Sequence, residues 1–424
     1  MKTTKAEKLI YFALIMYYAG SFVANTIPRG QFIPVLAIGL MLLAHLARTQ
    51  GRIRTRNVRF IFYLVVFLLF CLSSMLWAQR PSLAVSKVNG IAFITVAMFV
   101  IGICHCERFE LQEFLKAIMY GGYIVVIYTF FRYGIGGILR LAADDTRITN
   151  DLFNANTLGM CAAYSIVLNI YFMLNERIKF RDVLIIPAVV LEAVTQSRKA
   201  IIIVALGVVG LVVLKNLKKK DFGKSLLRVF AGLVAIALLF VVISRFRFMQ
   251  SAIKRMTEIF DMLAGRGART NNSAWLRFAY TKLGIQLFRE HPILGIGIGN
   301  ANIYTQLYYG HNHYLHNNYA ELLACGGLLG FIVYYSMHIF LLRGYIRNWK
   351  YRNNDYDICL LLMLLIIIVD YGMVSYYSRT NYFYLFMIWR YAREMRQGVG
   401  QQVEESGLRS GYPAKENLNV KRYS

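Results

Sequence analysis

Three histidines, at positions 311, 313 and 316, crowd into the polar segment His311-Asn-His-Tyr-Leu-His-Asn317 that opens a new apolar run, in a chain with only seven histidines. Histidine titrates near neutral pH without help, so a cluster at the point where a helix enters a membrane is suited to proton transfer. Two arginines suit a different task. Arg198 lies in Val194-Thr-Gln-Ser-Arg-Lys-Ala200, between two apolar runs with almost no room for a loop, and Arg277 lies near the start of a helix expected over about 274–290, ending before Pro292. A guanidinium is a planar fork of donors and a helix N-terminus carries unpaired N–H groups, and both match phosphate oxygens. Snorkelling to lipid headgroups would serve Arg198 equally well. Glu192 and Asp370, near the ends of apolar runs, are expected to pair with neighbouring arginines rather than to act in catalysis.

The elements that must position these residues are membrane helices. Of 424 residues 57% are hydrophobic, 14% aromatic and only 17% charged, and apolar runs long enough to cross a bilayer recur along the chain. Twelve runs qualify, at about 9–26, 31–47, 58–77, 85–103, 115–133, 155–174, 182–197, 200–214, 226–243, 323–342, 357–376 and 379–395. With the N-terminus inside, the cytoplasmic segments hold 30 of the 48 Lys and Arg, and half of the remainder lie in one loop, 244–316. That bias places both termini in the cytoplasm and the long loop outside. The expected fold is therefore an all-α polytopic membrane protein. Residues 1–243 form nine transmembrane helices, 244–322 an extracytoplasmic catalytic loop, 323–396 three further helices and 397–424 a loose cytoplasmic tail. Within the loop, 251–263 has an amphipathic pattern that fits an interfacial or packing helix.

Several readings are set aside. Lys2, Lys5 and Lys8 before the first run resemble a signal peptide, yet no convincing small-residue cleavage site follows, so an uncleaved helix is expected. The net charge of +26 is spread over the inner segments, which argues against nucleic acid, and the run from Lys215 to Lys220 reads as a stop-transfer anchor beside anionic lipid. Cys104-His105-Cys106 lacks a second ligand pair, so no metal is expected there, and the six cysteines do not suggest disulfides. Leu294-Gly-Ile-Gly-Ile-Gly-Asn300 lacks the strand and helix of a dinucleotide loop; its glycines fit a tight backbone path back to the membrane.

The spacing His316-Asn317, nine residues, Gly327-Leu-Leu-Gly330 resembles the His-Asn-x9-Gly-x-x-Gly signature of the O-antigen ligase and O-antigen polymerase superfamily of bacterial membrane glycosyltransferases. Thr195-Gln-Ser-Arg198 is similar to that family's Thr-x-Ser-Arg at a span end. Arg277 matches the arginine of the helix that leads to its His-Pro-hydrophobic-Leu-Gly-hydrophobic-Gly element, here His291-Pro-Ile-Leu-Gly-Ile-Gly297. This chain departs from the pattern in carrying His311 and His313, and in Trp275-Leu276 where a Ser-Gly pair often precedes the arginine; Arg269 is the second candidate for the loop arginine. The register to Gly327 and Gly330 favours His316 among the histidines.

The resemblance implies a GT-C-like membrane enzyme of the bacterial inner membrane. Its donor would be a glycan on undecaprenyl diphosphate at the outer face, and its acceptor a sugar hydroxyl on a second lipid-linked molecule. His316 would act as the base. Arg198 and Arg277, with Arg269 and His313 as further substrate contacts, would hold the diphosphate, and a single displacement would invert the anomeric centre without metal or other cofactor. A polymerase is favoured, a ligase acting on lipid A-core is the alternative, and a lipid-linked sugar transporter is a third reading from a different class.

Overall fold

The computed structural model describes residues 4–24, 28–55, 58–143, 154–216 and 273–409. The expected span at 226–243, the amphipathic stretch 251–263 and Arg269 lie outside the described residues. Among those described there are α-helices, short 3₁₀ turns and no strand. The helices are α1 (Lys5–Val23), α2 (Phe32–Thr49), α3 (Val58–Ser73), α4 (Pro81–Cys104), α5 (Leu111–Ala143), α6 (Ala155–Asn175), α7 (Ile185–Thr195) and α8 (Arg198–Asn216). After the undescribed stretch follow α9 (Ser273–Glu290), α10 (Ala301–Tyr309), α11 (Asn318–Arg347), α12 (Asn354–Val369) and α13 (Arg379–Arg409). Seven of them have the length and apolarity to cross a bilayer by themselves: α2, α3 (its window running Arg59–Leu76), α4, α5, α6, α8 and α11.

Local chemistry sets the helix starts. Thr4 and Glu7 close a reciprocal capping box at α1, with Glu7 N–H donating to Thr4 Oγ1 (3.2 Å) and Thr4 N–H to Glu7 Oε2 (2.8 Å). Asn154, Asn317 and Asn353 accept from backbone N–H groups at the starts of α6, α11 and α12. At the centre stands α13, packed by α1, α4, α5, α11 and α12. Its residues Tyr382 to Ile388 are buried without interruption, the pattern of a helix that is apolar all round because it is surrounded all round. Large apolar side chains such as Leu36, Leu43 and Phe62 point outward, as lipid-facing residues do.

Two expectations about the spans are corrected. The 182–197 run folds as a 3₁₀ turn (Phe180–Leu184) followed by α7, whose 11 residues are too short to cross a bilayer alone. Left-handed Gln196 ends α7 immediately before the Arg198 helix. The 357–376 run stops as a helix at Val369, because Asp370 and the turns after it leave the helix to pack on the start of α11.

Candidate active site

The three histidines separate on folding. Helix α11 begins at Asn318 and not at His316. Asn317 accepts from the N–H groups of Tyr319 (3.0 Å) and Ala320 (3.2 Å), while His316 stands outside the helix with φ at 57°. A left-handed histidine is uncommon and persists only where its surroundings fix it. Here the fixing groups are visible. The buried carboxylate of Glu321 accepts from Leu315 N–H at 2.7 Å, and the His316 ring stacks on Tyr280 with centroids 6.1 Å apart and lies 4.2 Å from the Tyr314 ring. His316 Nδ1 is buried without a hydrogen-bond partner. His311 and His313 are exposed, with the His313 ring 6.1 Å from that of His316.

Asn318 fixes the other side of the same turn. Its Oδ1 accepts from Ser375 N–H (2.8 Å) and Tyr376 N–H (3.1 Å), and its own N–H donates to the Asp370 carbonyl (2.8 Å). Asp370 was expected beside an arginine. Its carboxylate instead accepts from three neutral groups, Ser375 Oγ (2.5 Å), Tyr335 OH (2.9 Å) and Asn318 Nδ2 (3.3 Å). A buried carboxylate satisfied in this way holds the segment after α12 against the start of α11.

Arg198 is placed by small residues. A Cβ added to Gly159 of α6 would lie 2.5 Å from Thr195 Oγ1 and 2.9 Å from Ser197 Cβ, so the break between α7 and α8 sits directly on α6. Thr195 Oγ1 also donates to the Glu192 carbonyl (2.7 Å) and Ser197 Oγ to Asn156 Oδ1 (3.3 Å). The Thr-x-Ser-Arg stretch is thus a turn of buried hydroxyls with the arginine on the first residue of the next helix. Arg277 lies in the second turn of α9, its carbonyl accepting from Thr281 Oγ1 at 2.9 Å.

The glycine-rich segment after α9 locks into α11. Gly327 departs from helical geometry at φ 60° and ψ −164°, and across that break Leu328 N–H donates to the Pro292 carbonyl (2.8 Å) and Leu329 N–H to the Ile293 carbonyl (3.1 Å). In return Ile296 N–H donates to Ala324 (2.9 Å) and Gly297 N–H to Cys325 (3.0 Å). Side chains cannot fit between the two backbones: a Cβ on Gly295 would lie 2.6 Å from both the Ala324 oxygen and the Gly327 nitrogen. Gly330 admits Phe70 of α3. The two glycines of Gly-x-x-Gly therefore receive different neighbours, a loop backbone at the first and a helix side chain at the second.

One cavity of about 490 Å³ collects these pieces: Arg198, Lys199, Arg277 and His316 line it together with Tyr319, Thr281 and Tyr371. Ile202, Phe278, Ile367, Ile368 and Val369 form its apolar wall. Burial, and then the positive charges of Arg277 and Lys199, push the His316 pKa down to about 3, so its imidazole is neutral at physiological pH. His313 stands beside the cavity but not in its lining, and no cluster of metal-ligand side chains occurs among the described residues. Lys199 and Tyr280 were not singled out in the sequence. Lys199 had a signal of its own, a second basic residue directly after Arg198, whereas the Tyr280 stacking joins residues that only the fold brings together.

No curated protein matches the chain. Residues 183–335, which contain Arg198, Arg277, His316 and the interlocked glycines, match the family model described as O-antigen ligase (Wzy_C), so this part of the chain is similar to O-antigen ligases, and the all-helical fold with its long apolar helices is that of a polytopic membrane protein.

Proposed function

We propose that the protein transfers a glycan from undecaprenyl diphosphate to a sugar hydroxyl at the outer face of the bacterial inner membrane. The observation that carries this reading is the convergence of Arg198, Arg277 and His316, from three separate elements, on one cavity with an apolar wall. Guanidinium groups match a diphosphate, and the apolar side suits a polyprenyl chain. In the reaction the acceptor oxygen attacks the anomeric carbon and the bond from that carbon to the diphosphate oxygen breaks. The electron pair leaves with the diphosphate beside the two arginines and Lys199, and the hydroxyl proton passes to His316. The free site holds His316 neutral, and a bound diphosphate offsets the neighbouring charges, so basicity rises when the donor arrives. Direct displacement inverts the anomeric centre and assigns no step to a metal.

A second lipid-linked repeat unit is the acceptor in this reading, which makes the protein a surface-polysaccharide polymerase. The test is to incubate purified protein with a diphosphate-linked repeat unit, with and without lipid A-core. Chain growth with the donor alone supports polymerisation, transfer only to lipid A-core makes the enzyme a ligase, and no glycan transfer under either condition contradicts the proposal.

A further inference from the structure

A second cavity, of about 360 Å³, lies between the C-terminal ends of α2 and α4 and the start of α1. The Pro81 end of α4 meets the glycine-rich segment, with Arg80 N–H donating to Asn300 Oδ1 at 2.8 Å. The Cys104 end lies a helix length away, ~36 Å for its residues at 1.5 Å each. Both α2 and α4 have the composition of membrane-crossing helices, so this cavity opens at the membrane boundary opposite the His316 site.

Its lining is basic: four guanidinium groups, Arg48, Arg52, Arg54 and Arg108, stand against two carboxylates, Glu7 and Glu107. Some of that charge is matched internally. Arg54 pairs with Glu107 at 2.7 Å, Arg48 lies 3.7 Å and Arg108 3.8 Å from Glu7, Arg108 also pairs with Glu110, and Arg48 Nη2 donates to the Cys104 carbonyl at 3.1 Å. Arg52 makes no side-chain ion pair among the described residues. His45, also in the lining, is only 3% exposed and meets Arg48 Nη2 through Nδ1 at 3.4 Å. Arginine only donates, so Nδ1 accepts and the proton sits on Nε2, which is buried without any partner. Four guanidinium groups against two carboxylates leave surplus positive charge in the lining, and that calls for an acceptor-rich, negatively charged ligand.

We infer that this cavity binds a phosphate group at the membrane face opposite the glycan-transfer site, with Arg52 and Arg54 as its donors. The phosphate can be carried by an anionic lipid headgroup or by a soluble molecule. The test uses full-length protein, stripped of lipid in neutral detergent, with melting followed by fluorescence-detected size exclusion and bound species by native mass spectrometry. The probes are dioleoylphosphatidylglycerol, its uncharged counterpart dioleoylglycerol, and glycerol 3-phosphate. The inference predicts that a phosphate-bearing probe raises the melting temperature and dioleoylglycerol does not. A shift with the lipid alone identifies a headgroup site, and an equal shift with glycerol 3-phosphate a soluble ligand. Replacing Arg52→Gln and Arg54→Gln together weakens binding by about thirtyfold, from two charges near a surface, and Arg52→Lys with Arg54→Lys retains most of it; a normal elution profile shows that each variant is folded. No shift with any phosphate-bearing probe, or the same affinity in the double Gln variant, overturns the inference.

Discussion

Replacing Gly327 tests whether the backbone interlock holds the site together. Gly327 occupies φ 60° and ψ −164°, a region essentially closed to other residues, and a Cβ there would collide with the Ile293 carbonyl and lie 2.7 Å from Gly295 N. Relief requires the glycine-rich segment to move away. The hydrogen bonds from Leu328 and Leu329 to Pro292 and Ile293 would then be lost, at about 1 kcal/mol each, and the backbone strain adds about 1 to 3 kcal/mol, for a total of roughly 3 to 5 kcal/mol. Gly326 is the control. Its added Cβ would meet side-chain atoms alone, Phe70 ring carbons at 3.3 and 3.5 Å and Ile298 Cδ1 at 3.9 Å, so Gly326→Ala should stay within about 1 kcal/mol of the parent. The assay is thermal melting of purified protein followed by size exclusion. Equal stability of Gly327→Ala and Gly326→Ala would refute the interlock.

Arg198→Lys and Arg277→Lys should each slow transfer by about ten- to a hundredfold, because an ammonium cannot reproduce two parallel hydrogen bonds to a phosphate, and Ala should be slower still; near-normal rates with both lysines would indicate simple charge attraction. Asn317→Ala removes the acceptor for two N–H groups at the start of α11 and should cost about 1 kcal/mol of stability with a fall in kcat, both restored by Asp, as melting and rate measurements would show. With His316 near 3 in the free site, its protonation should not limit kcat/KM across the ordinary acid range. Donor binding offsets the positive charges, so the acid limb of kcat should lie at higher pH than that of kcat/KM. Lys199→Met removes one of those charges and should move the kcat/KM limb upward; an unmoved limb would show that Lys199 does not act on His316.

The features legible in the sequence were local ones. Apolar runs marked most helices, whereas the caps Asn154, Asn317 and Asn353 that set the starts of α6, α11 and α12 came only with the structure. The grouping of Arg198, Arg277 and His316 came from motif resemblance, and the cavity brings them together. Long-range pairing was not legible. Asp370 looked like half of an ion pair because nothing near it in sequence announces Asn318, Tyr335 and Ser375 as its donors. The apolar run at 323–342 gave no sign of the turn before it, where Asn317 caps α11 and leaves His316 left-handed. The glycines of 295–299 and 327 read as general permission for close approach, while their reciprocal hydrogen bonds depend on two segments meeting in register.

The central claim is that one fixed, neutral histidine removes the acceptor proton. The direct measurement is the initial rate of glycan transfer by purified His316→Ala, beside His311→Ala and His313→Ala, from a diphosphate-linked repeat unit at saturating concentration, with donor binding measured separately. The account predicts that His316→Ala binds donor yet loses transfer by about a hundredfold or more, as expected for loss of a general base, while the two exposed histidines can be removed with a modest reduction. Transfer by His316→Ala at the parent rate, or an inactive His313→Ala beside an active His316→Ala, would contradict it.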